Sequence, residues 1–447
     1  MNIKLYNKKI DTIEKEVKGK KISDYEIFLI DGKSYESIFL RDRVDNERDI
    51  NDFKYYLRIL THKEDKTGIG LIKGNSLNSK EIERNIDTCV SIANSNLGSK
   101  FYFPEQASFH DAVISEKKVL QDPLNTKNNL AEELITEINQ HKEIQPTFGR
   151  IRVHIDNISL RNSTGLDLSN IKTYFFVEFS LKAQKEGKLS EYWPFLFIKD
   201  KDQLNFPERV DQWAKLAQDS LIAKVPKPKE KATVVFSPQV LNKALNPVIE
   251  NHASGRASFQ KISRFTINQE VASEEITIID DGLLKGGLRT NGWDIEGSPR
   301  QKTEIIKNGI FQNYIYDQRY AILSNHRSTG NAIRDERTEI IDNGISNLEI
   351  LPGTMNLDDI ISEINEGYYV DQFSWLNPSK LSGAFGAEIR NGYYIKNGKF
   401  EYPIKLGNIS GNVIKMLGDC QYVSKEREFF ENSLFPYMVF NNLTVSS

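Results

Sequence analysis

Five Asn-Gly dipeptides fall between residues 291 and 398 of this 447-residue chain: Asn291-Gly292, Asn308-Gly309, Asn343-Gly344, Asn391-Gly392 and Asn397-Gly398. Asn-Gly is the strongest short hairpin signal, because both residues tolerate the positive φ that a type I′ turn demands. Residues 282–418 also hold 17 of the 27 glycines. The C-terminal part is therefore expected to be a hairpin-rich, distorted barrel-like β domain with few helices.

The length suggests two or three domains. A hydrophobic content of 39% and a charged content of 27% describe a soluble globular protein. A net charge of −3 gives no reason to expect nucleic acid or an acidic membrane as partner. The first residues show no apolar secretory segment, and no run approaches the roughly 18 apolar residues of a membrane span. Two cysteines, Cys89 and Cys420, fit a reducing cytoplasm rather than a disulfide framework.

The first 75 residues read as strands over 25–30, 35–41, 56–61 and 68–73, with Asp31-Gly32 as a hairpin turn between the first two. Ile82, Ile86, Val90 and Ala93 recur at the helical period, so residues 79–94 are predicted helical with Asn78 as N-cap. Residues 95–128 look irregular, and a second helix is expected over 130–140. Strands resume at 150–161, where the alternation slips near Asn157 as a bulge would make it slip. Further strands are expected over 173–181 and 193–198, and a helix over 207–222. The run from Lys224 to Lys231 places two prolines among lysines and marks a domain boundary. The expected organisation is α+β: an N-terminal α/β domain over 1–225 with antiparallel sheets and helices, divisible into lobes at about 1–145 and 146–225, and a β-rich domain over 232–447. In the latter, Ser237-Pro238 opens a helix that Pro247 should kink or end. A further helix is expected over 357–365. The aromatic stretch 429–440 reads as a buried terminal strand in preference to a partner interface.

Most catalytic signatures are missing. No two of the six histidines lie within ten residues of each other, so a helical His pair for zinc is excluded. A site assembled from distant residues would have to draw on His252, Glu250 and Cys420. No Walker A loop and no Gly-x-Ser-x-Gly elbow occurs. Cys89 sits on a predicted helix as a small hydrophobe, and Cys420 has no CxxC partner.

What remains is an ordered series of turn phrases: Asp280-Asp281-Gly282, Asp294-Ile295-Glu296-Gly297, Ser328-Thr329-Gly330-Asn331-Ala332, Pro352-Gly353, Gly367-Tyr368-Tyr369-Val370, Gly383-Ala384-Phe385-Gly386, the stretch from Gly392 to Lys399, and Gly411-Asn412-Val413-Ile414. Upstream stand Asn162-Ser163-Thr164-Gly165 and Phe236-Ser237-Pro238. Singly, each is an ordinary hairpin corner. In this order they resemble the TldD/PmbA family, the modulators of DNA gyrase. The resemblance covers residues 150–447 well and the first 150 loosely.

The resemblance implies a heterodimeric metallopeptidase acting on unfolded peptides. TldD-type subunits of that family carry His-Glu-x-x-x-His on the helix after Ser-Pro, completed by a distant Cys. Here that helix reads Gln239-Val240-Leu241-Asn242-Lys243-Ala244-Leu245-Asn246-Pro247, without the His pair or the Glu, and the stretch His252-Ala253-Ser254-Gly255-Arg256-Ala257-Ser258 that follows is similar to the PmbA/TldE branch, which lacks the metal motif. The implied role is the non-zinc subunit that shapes the substrate channel. It has no cofactor of its own, zinc is expected in a TldD-type paralogue, and self-association is the other partner arrangement. The candidates for the peptide channel or an interface are Asp294, Glu296, Gly297, Ser328, Thr329, Gly330 and Asn331. A peptidase with unusual ligands and a stand-alone peptide-binding regulator remain alternatives. Nothing in the charge balance supports DNA or gyrase binding.

Overall fold

Two antiparallel-dominated sheets organise the computed structural model, which describes residues 3–335 and 337–447, with side chains from residue 8 onward. The N-terminal sheet has eight strands. Its centre is Tyr25–Leu40, flanked by Arg43–Lys63 and Ile144–Asn162, and it continues through Lys66–Gly74 on one side and Asp167–Lys185 on the other. Because Tyr25–Leu40 pairs with Ile144–Asn162, one sheet runs across residue 145. Helix Ser79–Ser95 packs on one end of it, and helices Pro123–Ile138 and Phe206–Ile222 cover the other. Asn78 caps the first of these, accepting from Lys80 and Glu81 N–H as expected.

Several local expectations need correction. Residues 3–19 form a helix, not a strand; Ile10, Ile13 and Val17 are its buried stripe, diluted in sequence by lysine and glutamate. Asp31-Gly32 is no turn. Gly32 lies in mid-strand, opposite Asp52 on one side and Asp156 on the other. A Cβ there would meet Asp156 Oδ1 at 2.8 Å, so the glycine answers to lateral crowding. The turn itself is at Arg41, with φ +58°. Register is continuous through Asn157, and the irregularity falls between Pro146 and Phe148 instead. The apparent slip marks a change of covered face. Ile151 and Val153 share a core cluster with helices Pro123–Ile138 and Phe206–Ile222, while Ile158 and Leu160 pack with Phe28 and Trp293 against the C-terminal half.

The C-terminal sheet contains a closed ring of five strands, Lys229–Phe236, Glu366–Phe373, Ala384–Lys396, Asn408–Asn412 and Ser433–Ser446. Closure removes exposed strand edges. The barrel-like β domain expected from sequence is thus present. Two of the five Asn-Gly pairs are tight hairpin corners. Asn308-Gly309 (φ +44° and +79°) joins Lys307 to Ile310, and Asn397-Gly398 (φ +49° and +73°) joins Lys396 to Lys399. The other three are not. Asn391-Gly392 lies inside a strand where a Cβ would meet Tyr369 O at 2.3 Å, and at Gly292 it would meet His110 O at 2.5 Å. At Gly344 it would strike Ile333.

Helix Pro238–Ala253 caps the ring, with Ser237 accepting from Val240 N–H. It continues through Pro247. An interior proline costs about 3 kcal/mol. Val240, Leu241, Leu245, Val248 and Ile249 are essentially fully buried on this helix, at roughly 1.5–3 kcal/mol each. Burial therefore outweighs the broken hydrogen bond. The terminal strand Ser433–Ser446 is buried in the ring, with Phe435, Met438 and Phe440 wholly covered.

Candidate functional site

Where the two sheets face each other, the turns at 294–297 and 328–331 come together. Asp294 Oδ1 accepts from the N–H groups of Glu296 (3.0 Å) and Ser298 (2.9 Å), an Asx-type turn. Its Oδ2 accepts from Ala332 N–H at 2.9 Å, which ties the first turn to the second. In the second turn, Thr329 Oγ1 accepts from Tyr316 N–H (2.7 Å) and donates to Asn331 Oδ1 (2.6 Å). Ser328 Oγ donates to Tyr316 O at 3.2 Å. Asn331 Nδ2 donates to Asp280 Oδ2 at 2.6 Å and to Gly344 O at 3.0 Å. Burial raises the pKa of Asp280 to about 6, and burial together with the Glu296 charge raises that of Asp294 to about 7.

Glycine is required at two points. Gly297 has φ +83°, and Gly330 has φ +74° with Pro299 O at 2.3 Å from the position of a Cβ. Gly330→Ala combines a left-handed residue with a backbone clash. A loss of about 2–3 kcal/mol is expected in urea unfolding; a change under 0.5 kcal/mol would remove this reading of the turn.

Glu296 points toward the N-terminal sheet. Arg58 donates to Glu26 through Nε (2.9 Å) and NH2 (2.8 Å), and through NH1 to Glu296 Oε1 (2.6 Å). The rings of Phe101 and Phe103 cover the guanidinium at 5.6 and 5.2 Å. Glu296 Oε2 accepts from Gln318 N–H at 3.0 Å. This buried Glu–Arg–Glu triad clamps the two halves together. The side chains of Asp294, Glu296 and Asn331 are thus consumed in scaffolding, and Gly297 and Gly330 are buried beside them. Ser328 and Thr329 are half-buried.

Beside this scaffold lies a cavity of about 330 Å³. Phe28, Ile158 and Lys172 line it from the N-terminal sheet, and Trp293, Arg289 and Arg300 from the C-terminal half. Arg334 and Asp156 complete the charged wall. Burial lowers the Lys172 pKa to about 8 against the attraction of Asp156, with neighbouring Lys199, Arg289 and Arg300 adding to the lowering. No sequence motif flagged these cations, since 172, 289, 300 and 334 share no spacing.

A second cleft, of about 570 Å³, lies between helix Phe206–Ile222 and the C-terminal domain, lined by Arg209, Glu426, Glu428 and Tyr437. A separate small pocket shares Arg209, Glu428 and Tyr437 with this cleft, and in it Asp371 Oδ2 accepts from Gln239 Nε2 (3.0 Å) and Tyr192 OH (3.2 Å), and Oδ1 from Tyr369 OH (3.3 Å). Burial, then the Glu428 charge, pushes its pKa up to about 7. Ser237 Oγ donates to Asp371 O at 2.7 Å, which fixes the start of helix Pro238–Ala253 beside it.

The three residues that the sequence offers for zinc are placed as follows. His252 Nδ1 accepts from Arg264 N–H at 3.1 Å, and Glu250 Oε2 accepts from Ile345 N–H at 3.2 Å. Burial pushes the Cys420 thiol up to about 12, the reverse of a metal-binding thiolate. Among the described residues no three His, Cys, Asp or Glu side chains gather closely enough to hold a metal, so His252, Glu250 and Cys420 do not form one site.

A family model described as the PmbA/TldA metallopeptidase C-terminal domain matches residues 229–447. A metalloprotease TldD homolog from Buchnera aphidicola subsp. Acyrthosiphon pisum (strain APS) is 32% identical over 242 residues, 53% of this chain and 50% of that protein. The metalloprotease PmbA of Escherichia coli O157:H7 is 22% identical over 352 residues, 77% of this chain and 73% of that protein. The chain spans about half the length of the TldD homologues it matches. The crystal structure of TldE from Thermococcus kodakarensis shares the fold, with a TM-score of 0.84 at 21% identity over 98% of this chain and 100% of that one. The domain match and the ordered turn phrases agree, and residues 229–447 belong to the TldD/PmbA family as its C-terminal domain.

Proposed function

We propose that this chain is the PmbA/TldE-like, non-zinc subunit of a TldD/TldE-type metallopeptidase complex, acting in the cytoplasm on unfolded peptides. The observation that carries the reading is on helix Pro238–Ala253. The helix holds a single histidine, His252, and no His-Glu-x-x-x-His run, and Asn242 and Asn246 stand one turn apart on it. Both donate through Nδ2 to Ser433 Oγ at 2.9 Å. That helix face is spent on packing against the terminal strand, and it offers neither metal ligands nor a general base. Catalysis then falls to a TldD-type partner. This subunit would contribute channel wall, where a β-rich surface can hold an extended peptide through main-chain hydrogen bonds.

Co-expression with a TldD-type paralogue tests this. The expected result is a stable complex with zinc in the paralogue alone and chelator-sensitive peptide hydrolysis by the pair. Stoichiometric zinc on the isolated chain, or peptide cleavage by it, would overturn the assignment.

A further inference from the structure

We propose that the cavity between the two sheets is an oxyanion site that takes the C-terminal carboxylate of a peptide ending in an apolar residue. The identity of the ligand rests on the peptide-handling role proposed above, whereas the anion site stands on its own geometry.

Four cations, Lys172, Arg289, Arg300 and Arg334, line one cavity with two carboxyls, Asp156 and Asp294. Among the described residues none of the four forms an ion pair. Asp294 cannot serve them fully, because three backbone N–H groups already occupy its oxygens. Arg300 is only 6% exposed, yet its Nε has no hydrogen-bond partner. Its NH1 reaches just one acceptor, Arg289 O, at 3.0 Å. Arg289 NH1 likewise reaches only a carbonyl, Ile345 O, at 3.0 Å. Arg334 lies 3.7 Å over the Tyr56 ring, and its Nε and NH2 have no partner. Buried guanidinium groups are normally paired. A cluster left short of acceptors is complementary to an oxyanion, and a planar carboxylate matches the guanidinium fork.

The rest of the wall specifies what the anion is attached to. Phe28, Ile30, Ile114, Ile158, Trp293 and Ile295 make an apolar lining. A volume of about 330 Å³ is at the small end for ligand sites and suits one large side chain with its carboxylate. A bare inorganic anion would leave that lining wet. An apolar C-terminal residue uses both halves of the cavity.

Because Trp293 lines the site, tryptophan fluorescence of the isolated full chain reads occupancy. The probes are N-acetyl-phenylalanine, its carboxamide, the tetrapeptide acetyl-Ala-Ala-Ala-Phe as free acid, and inorganic phosphate. Both free acids are expected to change the emission saturably, and Trp293→Phe to abolish the change. The carboxamide and phosphate should bind at least tenfold more weakly. Arg300→Met should weaken the acids at least tenfold. Should that buried substitution impair folding, Lys172→Met, at a half-buried position on the other sheet, gives the same test. Equal binding of acid and carboxamide, equal binding of phosphate, unchanged affinity in Lys172→Met, or no binding by either acid at millimolar concentration overturns the site. Binding of N-acetyl-phenylalanine without the tetrapeptide overturns the peptide assignment. No peptidase partner takes part, so failure here is separable from failure of the subunit reading: a chain that joins an active complex yet binds no acid loses only this proposal.

Discussion

Arg58→Met is expected to cost the fold about 3–5 kcal/mol, the range for removing one partner of a buried ion pair. The substitution keeps the aliphatic bulk under Phe101 and Phe103 and deletes the charge. Glu26 and Glu296, each 1% exposed, would then face each other without a cation. Burial already raises the Glu26 pKa even with Arg58 in place. Without Arg58 the Glu26 carboxyl takes up a proton more readily when folded, so the penalty should be larger at pH 8 than at pH 5. Adding Glu26→Gln and Glu296→Gln removes the stranded charges and should recover much of the loss. Urea unfolding of the three variants checks this. A cost below 1 kcal/mol for Arg58→Met, or no recovery in the triple variant, would show that the clamp contributes little.

Asp371→Asn should change how stability depends on pH, by up to about 4 kcal/mol. The folded carboxyl titrates at about 7 against an ordinary 3.8, and each pKa unit is worth about 1.4 kcal/mol. Below pH 4 it is protonated in both states and contributes no difference. Between pH 4 and 7 the unfolded chain releases this proton while the folded chain keeps it. Stability from this group therefore falls as pH rises, and it levels off above about 7. Asparagine removes that slope and can still meet Gln239, Tyr192 and Tyr369. The stability of Asp371→Asn relative to the parent should thus grow from pH 4 to pH 7.5. The difference isolates Asp371 from Asp280, Asp294 and Asp317, which burial also raises, to about 6, 7 and 8. Parallel pH profiles for parent and variant would rule this account out.

Reading by local pattern succeeded where a few adjacent residues carry the physics. Asn78 and Ser237 cap helices because a short polar side chain can reach the N–H groups two or three residues on. Asn308-Gly309 and Asn397-Gly398 turn because both positions accept positive φ. It failed where a distant segment decides. Gly392 looked like another corner, but the neighbouring strand's Tyr369 carbonyl is what demands glycine there. Pro247 looked like a helix end, but buried side chains on the same helix outweigh it. The turns at 294–297 and 328–331 stand out in the sequence as candidates for a peptide channel or an interface, and in the structure Asp294 joins one to the other through Ala332 N–H. Their role was not legible: the acidic groups face inward to Arg58 and to backbone N–H groups, and the cations of the adjoining cavity went unnoticed.

Sequence alone determined the hairpin-rich β character of the C-terminal part, the order of turn phrases shared with TldD/PmbA proteins, and the lack of a His-Glu-x-x-x-His helix. These are set by backbone preferences and residue identities over spans of two to eight residues. Tertiary structure alone decided which glycines turn the chain and which admit a close neighbour, and which carboxyls are clamped. It also brought Lys172, Arg289, Arg300 and Arg334 to one cavity. The reason is range: φ/ψ preferences act between chain neighbours, whereas burial and charge sum over every group within several ångströms, and those groups come from opposite ends of the chain.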